Sequence, residues 1–450
     1  MKVHLIAIGG SAMHNMALAL HHKGFEVSGS DDAIFEPSKS RLDLYGLLPS
    51  EMGWFPEKIH SELDAIILGM HARIDNPELL KAQELGLPIY SYPEYIYEQS
   101  KDKTRVVIGG SHGKTSITAM VLHVLNVAKI DCDYMVGAQL EGFDTMVKLT
   151  KEAPIIILEG DEYLSSPIDR RPKFHWYKPH IAVLSGIAWD HINVFPTFEN
   201  YVEQFRLFKN DVKEVLFYYQ QDENLVKLSS ENSSCRVEGY GTPAYIIEEG
   251  VSYLLDEVGD KVPLQVFGEH NLQNINAARK VCIELGVSAQ VFNLAIQTFK
   301  GASKRLELVK KTKHSVFYKD FAHSPSKLVA TTKAMKKQYP ERTLVACMEL
   351  HTFSSLNKSF LKEYHGTMND ADIAIVFFSK EAIRHKKLED ISAEEIYQSF
   401  GKKDLNVIAS SNELVEFLTS IEWTNKNLLM MTSGNFDGLD FFDLSNKIKD

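Results

Sequence analysis

Strand-sized apolar runs alternate with stretches of helical spacing along most of this chain. The runs at 3–8, 65–68, 106–108, 155–158, 181–184, 343–348, 373–378 and 428–431 are almost purely apolar. Runs this short, without polar alternation, predict strands buried on both faces of a parallel sheet. Between them, 13–23, 117–127 and 325–337 place apolar residues at the three- and four-residue spacing of a helix. The alternation predicts an α/β fold in three units, 1–100, 101–300 and 301–450. Residues 210–263 read as short strands and turns that carry no chemistry.

In an open α/β sheet the ligand crevice lies beyond the carboxyl ends of the strands, so the residues that follow each strand carry the functional reading. After the strand at 106–108 comes Gly109-Gly110-Ser111-His112-Gly113-Lys114-Thr115-Ser116, then a helix. Strand, glycine turn, Lys-Thr and helix together predict a phosphate-binding loop. The glycines let backbone N–H groups approach phosphate oxygens, and the helix N-terminus adds its positive dipole end. Lys114 is placed to reach the outer phosphates and Thr115 to offer its hydroxyl to Mg²⁺. The common pattern has a glycine six residues before the lysine. Here that position is Ile108, so the loop is a shortened one.

Three other groups extend the candidate site. The first strand runs into Gly9-Gly10-Ser11-Ala12-Met13, and the strand at 25–31 closes on Ser30-Asp31. This is a βαβ opening of the dinucleotide-binding kind, with Asp31 placed for a ribose, although Ala7 and Ala12 stand where the fingerprint has its first and third glycines. His71 and Arg73 follow the strand at 65–68. Glu159 ends the strand at 155–158, where a magnesium-binding carboxylate is expected, and Asp190-His191 follows the strand at 181–184. Asn271 opens a helix with an amide suited to a purine. Helix capping by Asn271 and packing by His191 are the competing structural readings.

Composition narrows the class. The 450 residues are 44% hydrophobic and 24% charged, as in an ordinary globular protein. A net charge of −11 argues against a nucleic-acid partner. No apolar run is long enough to cross a bilayer, and Met1 to Ile6 enters a strand directly, without a signal-peptide pattern. Cys132, Cys235, Cys282 and Cys347 lack metal-type spacing and read as reduced thiols of a cytoplasmic protein. A nicotinamide-dependent oxidoreductase, argued from residues 1–31, leaves the loop at 109–116 unexplained. A non-catalytic nucleotide-binding module leaves Lys114, Thr115, Glu159 and His191 without a purpose.

Taken in order, these segments resemble the Mur ligases, the ATP-dependent amide-forming enzymes of peptidoglycan synthesis. The loop is similar to the family's G-T-H-G-K-T, Glu159 to Tyr163 to its E-A-D-E block, and Asp190-His191 to its D-H. Gly268 to Asn271 is similar to G-x-H-N and Asp320 to Pro325 to D-x-A-H-x-P. The resemblance implies a Rossmann-like donor domain, a central phosphate-loop ATPase domain and a Rossmann-like acceptor domain. It implies ATP and Mg²⁺ as cofactors and UDP-N-acetylmuramate as donor, which binds at the 9–13 and 30–31 loops. It further implies that Lys114 neutralises phosphate, that Thr115, Glu159 and His191 hold metal, and that Asn271 binds adenine. Arg305 and Asp320 would meet ATP, with His112 and His323 near phosphate or acyl groups and a hinge near Gly301. The segment from Asp169 to Pro179 resembles members that attach a whole L-Ala-γ-D-Glu-meso-diaminopimelate peptide in peptidoglycan recycling. The alternative is the member that adds L-alanine in biosynthesis. Two departures stand out. His351 occupies the place of an acceptor-loop arginine, and the stretch Tyr201 to Arg206 lacks the lysine that some relatives carbamylate.

Overall fold

The structure is a computed structural model that describes residues 1–140, 142–189, 194–302 and 305–448. Its chain divides into two compact units, Met1–Gly241 with Gln273–Ile296, and Thr242–Leu272 with Gln297–Asp450. Three parallel or mostly parallel sheets and one small antiparallel sheet account for the strands, as the apolar runs predict.

In the first unit, the N-terminal sheet is parallel, in the order Glu26–Ser30, Lys2–Ile6, Ala65–Leu68, Ile89–Ser91. Side chains of a strand alternate between faces. Val3, Leu5, Ala65 and Ile67 join one core cluster with the helix Ser11–His22, and Ile6, Ile66 and Leu68 join another with Leu79 and Ala82. Both faces are therefore covered, which is why these strands read as unbroken apolar runs. One polar pair is buried among them. His4 Nε2 lies 3.2 Å from Glu78 Oε2, and Glu78 Oε1 accepts from the Phe55 amide at 2.7 Å. Asn76 caps the helix Pro77–Glu84 through bonds from the amides of Glu78 and Leu79.

The central sheet positions the candidate site. Its seven strands run Arg236–Tyr240, Val215–Tyr219, Ile181–Leu184, Thr104–Gly109, Ile155–Glu159, Asp133–Met135, Val147–Lys148, all parallel except the last. Thr104–Gly109 lies between Ile155–Glu159 and Ile181–Leu184. The register pairs Ile108 with Glu159 and Gly109 with Leu184, so both neighbouring strands end level with the start of the loop.

In the second unit a six-stranded sheet runs Glu307–Lys311, Val316–Asp320, Lys426–Met431, Thr343–Leu350, Ile373–Phe378, Leu405–Ile408, with only the first pair antiparallel. Alternate residues of Thr343–Leu350 serve two cores: Leu344, Ala346 and Met348 one, Val345 and Cys347 the other. The antiparallel sheet of Tyr245–Glu248, Val251–Leu255 and Lys261–Leu264 belongs to this unit, where Ser252 donates to Gln338 at 2.9 Å. Among the described residues no helix is long and apolar enough to cross a membrane.

Candidate active site

The loop between Thr104–Gly109 and the helix Lys114–Val127 is held by backbone conformations that favour glycine. Gly110 has φ +121° and Gly113 φ +76°. A Cβ on Gly110 would lie 2.7 Å from the Ser185 backbone nitrogen, and one on Gly113 would run into the Asn274 side chain. The loop is thus clamped between the Ile181–Leu184 strand end and Asn274. The Ser185 hydroxyl donates to the Gly109 and His112 carbonyls, and the Ser111 amide donates to Gly186 O at 2.9 Å. Gly110→Ala is expected to cost about 1–3 kcal/mol in stability, which chemical denaturation checks.

Three charged groups meet the loop. Lys114 Nζ donates to Gly110 O and to Glu162 Oε2, each at 2.6 Å. Its side chain is 15% exposed and that of Glu162 2%. Burial alone would lower the pKa of the ammonium, but Glu162 and Asp161 outweigh burial and hold it above the usual lysine value. Thr115 Oγ1 donates to Glu159 Oε1 at 2.8 Å, and the Gly137 amide donates to Glu159 Oε2 at 2.8 Å. Burial raises the Glu159 carboxyl above the usual range in spite of these donors and of Lys114. A buried carboxylate still short of positive charge, beside a hydroxyl at the start of a helix, fits a hard divalent cation that takes few protein ligands. Among the described residues no cluster of three or more His, Cys, Asp or Glu side chains is poised around a metal. Asp190 and His191 lie outside the described residues.

The residues expected on the donor side lie at strand ends in the same unit. The Gly9 amide donates to Asp31 Oδ2 at 2.7 Å, so Asp31 is engaged with the loop as well as placed at its rim. Burial is the main reason its carboxyl is raised, with Asp32 adding to it. Ala7, at the position of the fingerprint's first glycine, has φ +66° and keeps a glycine-like turn. Gly10, Ser11, Ala12 and Met13 enter the first helix, and Ser30 ends its strand buried. His71 and Arg73 are exposed beyond Ala65–Leu68, where Arg73 pairs with Asp75 at 3.1 Å.

The remaining candidates lie in the second unit. Asn271 Nδ2 donates to Phe267 O at 2.8 Å, a bond within the helix start. Asp320 accepts from the amides of Leu306 and Phe321 and from Thr331 Oγ1 at 2.7 Å. The Arg305 guanidinium lies 4.7 Å from the Phe321 ring centroid, and His323 Nδ1 lies 2.8 Å from Phe321 O. His270 lies near Asp320 and Arg305, and burial lowers its pKa. Of the hinge assigned near Gly301, Ser303 and Lys304 lie outside the described residues. His351 Nδ1 is 3.5 Å from Glu349 Oε1, and a Cβ on Gly434 would lie 2.6 Å from that ring nitrogen, so Gly434 makes room for the imidazole.

Sequence reasoning gave no role to Glu162, Tyr201, Ser185 or Asn274. Glu162 carried a signal, since it stands three residues beyond Glu159 in the same acid block. The others reach the loop only through tertiary packing.

Three family profiles match this chain: Mur ligase family, catalytic domain over 2–104, Mur ligase middle domain over 108–282, and Mur ligase, glutamate ligase domain over 304–435. The UDP-N-acetylmuramate–L-alanine ligase of Levilactobacillus brevis is 30% identical over 381 residues, which cover 82% of this chain and 81% of that protein. Among solved structures, the UDP-N-acetylmuramate–alanine ligase of Thermotoga maritima matches with a TM-score of 0.70 at 20% identity, over 97% of this chain and 96% of that one. The murein peptide ligase of Psychrobacter arcticus matches with a TM-score of 0.65 at 21% identity, over 99% and 98%. At these identities the two structures speak for the fold alone.

The expectation of a whole-peptide acceptor, drawn from Asp169 to Pro179, does not stand. Other curated relatives, at 29–31% identity over 77–96% of their lengths, are likewise UDP-N-acetylmuramate–L-alanine ligases. The physical reason lies in how the segment is used. Lys173 pairs with Asp161 at 2.5 Å; burial would raise that carboxyl, but Lys173 and Lys114 bring it down to about 2. Arg171 and Trp176 both bond Asp169, at 2.9 and 2.8 Å. Phe174 stacks on Phe208 with centroids 4.7 Å apart, and Arg105 Nε donates to Tyr177 O at 2.9 Å. These side chains brace the central sheet, so packing accounts for the likeness in this segment without a role in acceptor choice. Phe174→Leu is expected to cost about 1–2 kcal/mol in a denaturant melt and to leave acceptor preference unchanged. The chain belongs to the Mur ligase family and is an ATP-dependent carbon–nitrogen ligase.

Proposed function

We propose that this chain joins L-alanine to UDP-N-acetylmuramate at the expense of ATP, in the cytoplasm, as a step of peptidoglycan synthesis. The acceptor follows the names of its curated relatives. The chemistry rests on one juxtaposition: Thr115 and Glu159, 44 residues apart, meet at 2.8 Å beside Lys114 at the end of a glycine loop. Residues 1–100 would take the UDP-sugar through the 9–13 and 30–31 loops with His71 and Arg73. Residues 101–300 would take ATP on Gly110 to Ser116. Residues 301–450 would supply the acceptor side through His351.

In this reading the lactyl carboxylate attacks the γ-phosphorus and ADP leaves. The amine of L-alanine then attacks the acyl carbon and phosphate departs. The two reactants of the first step are both anions, so positive charge must stand where they meet. Lys114 supplies it from the protein. Thr115, Glu159 and His191 would hold Mg²⁺, which adds charge neutralisation when bound. Asn271 would receive the adenine, with Arg305, Asp320, His112 and His323 completing the nucleotide contacts.

Labelling the lactyl carboxylate of UDP-N-acetylmuramate with oxygen-18 tests the reaction path. Attack by that carboxylate carries one labelled oxygen into the released phosphate, which mass spectrometry reads. Unlabelled phosphate alongside amide product would contradict the acyl-phosphate route.

A further inference from the structure

A buried tyrosine connects the loop to its own lysine. Tyr201, on the helix Phe198–Asn210, is fully buried, yet among the described residues its hydroxyl meets the side chains of Ser111 and Glu162. Its Oη lies 2.9 Å from Ser111 Oγ and 3.0 Å from Glu162 Oε1. Ser111 Oγ in turn accepts from the Ala188 amide at 2.8 Å. The direction of this chain follows from the donors available. A carboxylate paired with an ammonium only accepts, so the single Tyr201 proton goes to Glu162. Tyr201 must then accept from the Ser111 hydroxyl. The series runs one way, from the Ala188 amide through Ser111 and Tyr201 to Glu162, whose other oxygen takes Lys114. Of the three ammonium donors, Gly110 O and Glu162 Oε2 take two, and no acceptor for the third is found among the described residues.

We propose that Tyr201 is a positioning residue: through Ser111 and Glu162 it ties the aim of Lys114 to the loop that cradles the phosphates. Two donors held in fixed directions leave the third directed by geometry, which is how a flexible four-carbon side chain becomes a preorganised phosphate contact. The lysine is fixed relative to the loop itself, because the relay passes through loop residue Ser111 and ends on loop residue Lys114. The proposal rests on the reading that this loop binds ATP.

Removing one hydrogen bond to a charged group costs about tenfold or more in the equilibrium it supports. Tyr201→Phe is therefore expected to raise KM for ATP about tenfold, with KM for UDP-N-acetylmuramate within about twofold of the native value. A purely structural role would move both constants together with the melting temperature. Ser111→Thr, which keeps the hydroxyl, is expected to show a KM for ATP about tenfold below that of Ser111→Ala, which removes it. In the Ser111→Ala background, Tyr201→Phe costs less than about threefold more, because the relay is already cut. An unchanged KM for ATP in Tyr201→Phe, or effects that multiply in the double variant, overturns the proposal. Should Tyr201→Phe fail to fold, equal KM values in Ser111→Thr and Ser111→Ala overturn it. Calorimetric titration of the native protein with ATP separates the two levels. Absence of binding removes the ATP reading itself, while native binding that Tyr201→Phe matches removes only the relay.

Discussion

Lys114→Met is expected to lower the rate of ADP release about 100- to 1,000-fold. The lysine is asked to stabilise charge spreading over the transferring phosphoryl group, and removing such a contact costs about 3–4 kcal/mol of transition-state free energy. The folded protein also responds. Glu162, only 2% exposed, loses its ammonium partner and stays buried with the Tyr201 hydroxyl. Losing the ammonium beside a buried carboxylate removes charge compensation at a cost of up to several kcal/mol, so the variant is expected to melt earlier than the native chain. Adding Glu162→Gln removes that charge and recovers most of the lost stability without recovering turnover. Steady-state assays paired with thermal melts on the single and double variants read both effects. Turnover within tenfold of native in Lys114→Met would remove the lysine from the chemistry.

Glu159→Gln is the second large effect, with turnover expected to fall about 100- to 1,000-fold and the Mg²⁺ requirement to rise. The amide keeps the shape of the side chain, so the Gly137 amide retains an acceptor. What is lost is the negative charge. The sign of the pH effect follows from the raised pKa of Glu159, caused first by burial. A carboxylate with a raised pKa takes up its proton at higher pH than an exposed one. Protons therefore compete with the cation at higher pH than they would at an exposed carboxylate, and apparent Mg²⁺ affinity of the native protein falls as pH is lowered. In Glu159→Gln that dependence flattens. Mg²⁺ titrations of the initial rate at several pH values separate the two. A native dependence as flat as that of the variant would show that Glu159 does not face the cation.

The elements legible in the sequence were those whose signal is local. Each buried parallel strand is an apolar run because both of its faces are covered, and the loop at 109–116 stands out because strand, glycines, Lys-Thr and helix are contiguous. Glu159 was legible because an acid at the end of such a strand has few structural uses. Tyr201 was not, since its partners lie 90 and 39 residues away and nothing near it in sequence marks a polar role. The first loop shows the opposite case. Ala7 breaks the glycine fingerprint in letters yet takes φ +66°, so the turn survives the substitution. Asp31 was assigned to a ribose from its spacing alone. The Gly9 amide, which also bonds its carboxylate, lies 22 residues away and became visible only in three dimensions. The segment from Asp169 to Pro179 misled for a related reason. Its charged and aromatic residues look like a recognition motif in one dimension, but Lys173, Phe174 and Tyr177 are used to build the central sheet's flank.

The most direct test of the whole account is ADP release by the purified chain with ATP, Mg²⁺ and UDP-N-acetylmuramate, comparing L-alanine with the L-Ala-γ-D-Glu-meso-diaminopimelate tripeptide as acceptor. Turnover with L-alanine is expected, with UDP-N-acetylmuramoyl-L-alanine appearing by mass spectrometry. Turnover with the tripeptide and none with L-alanine would contradict the proposed acceptor and return significance to residues 169–179.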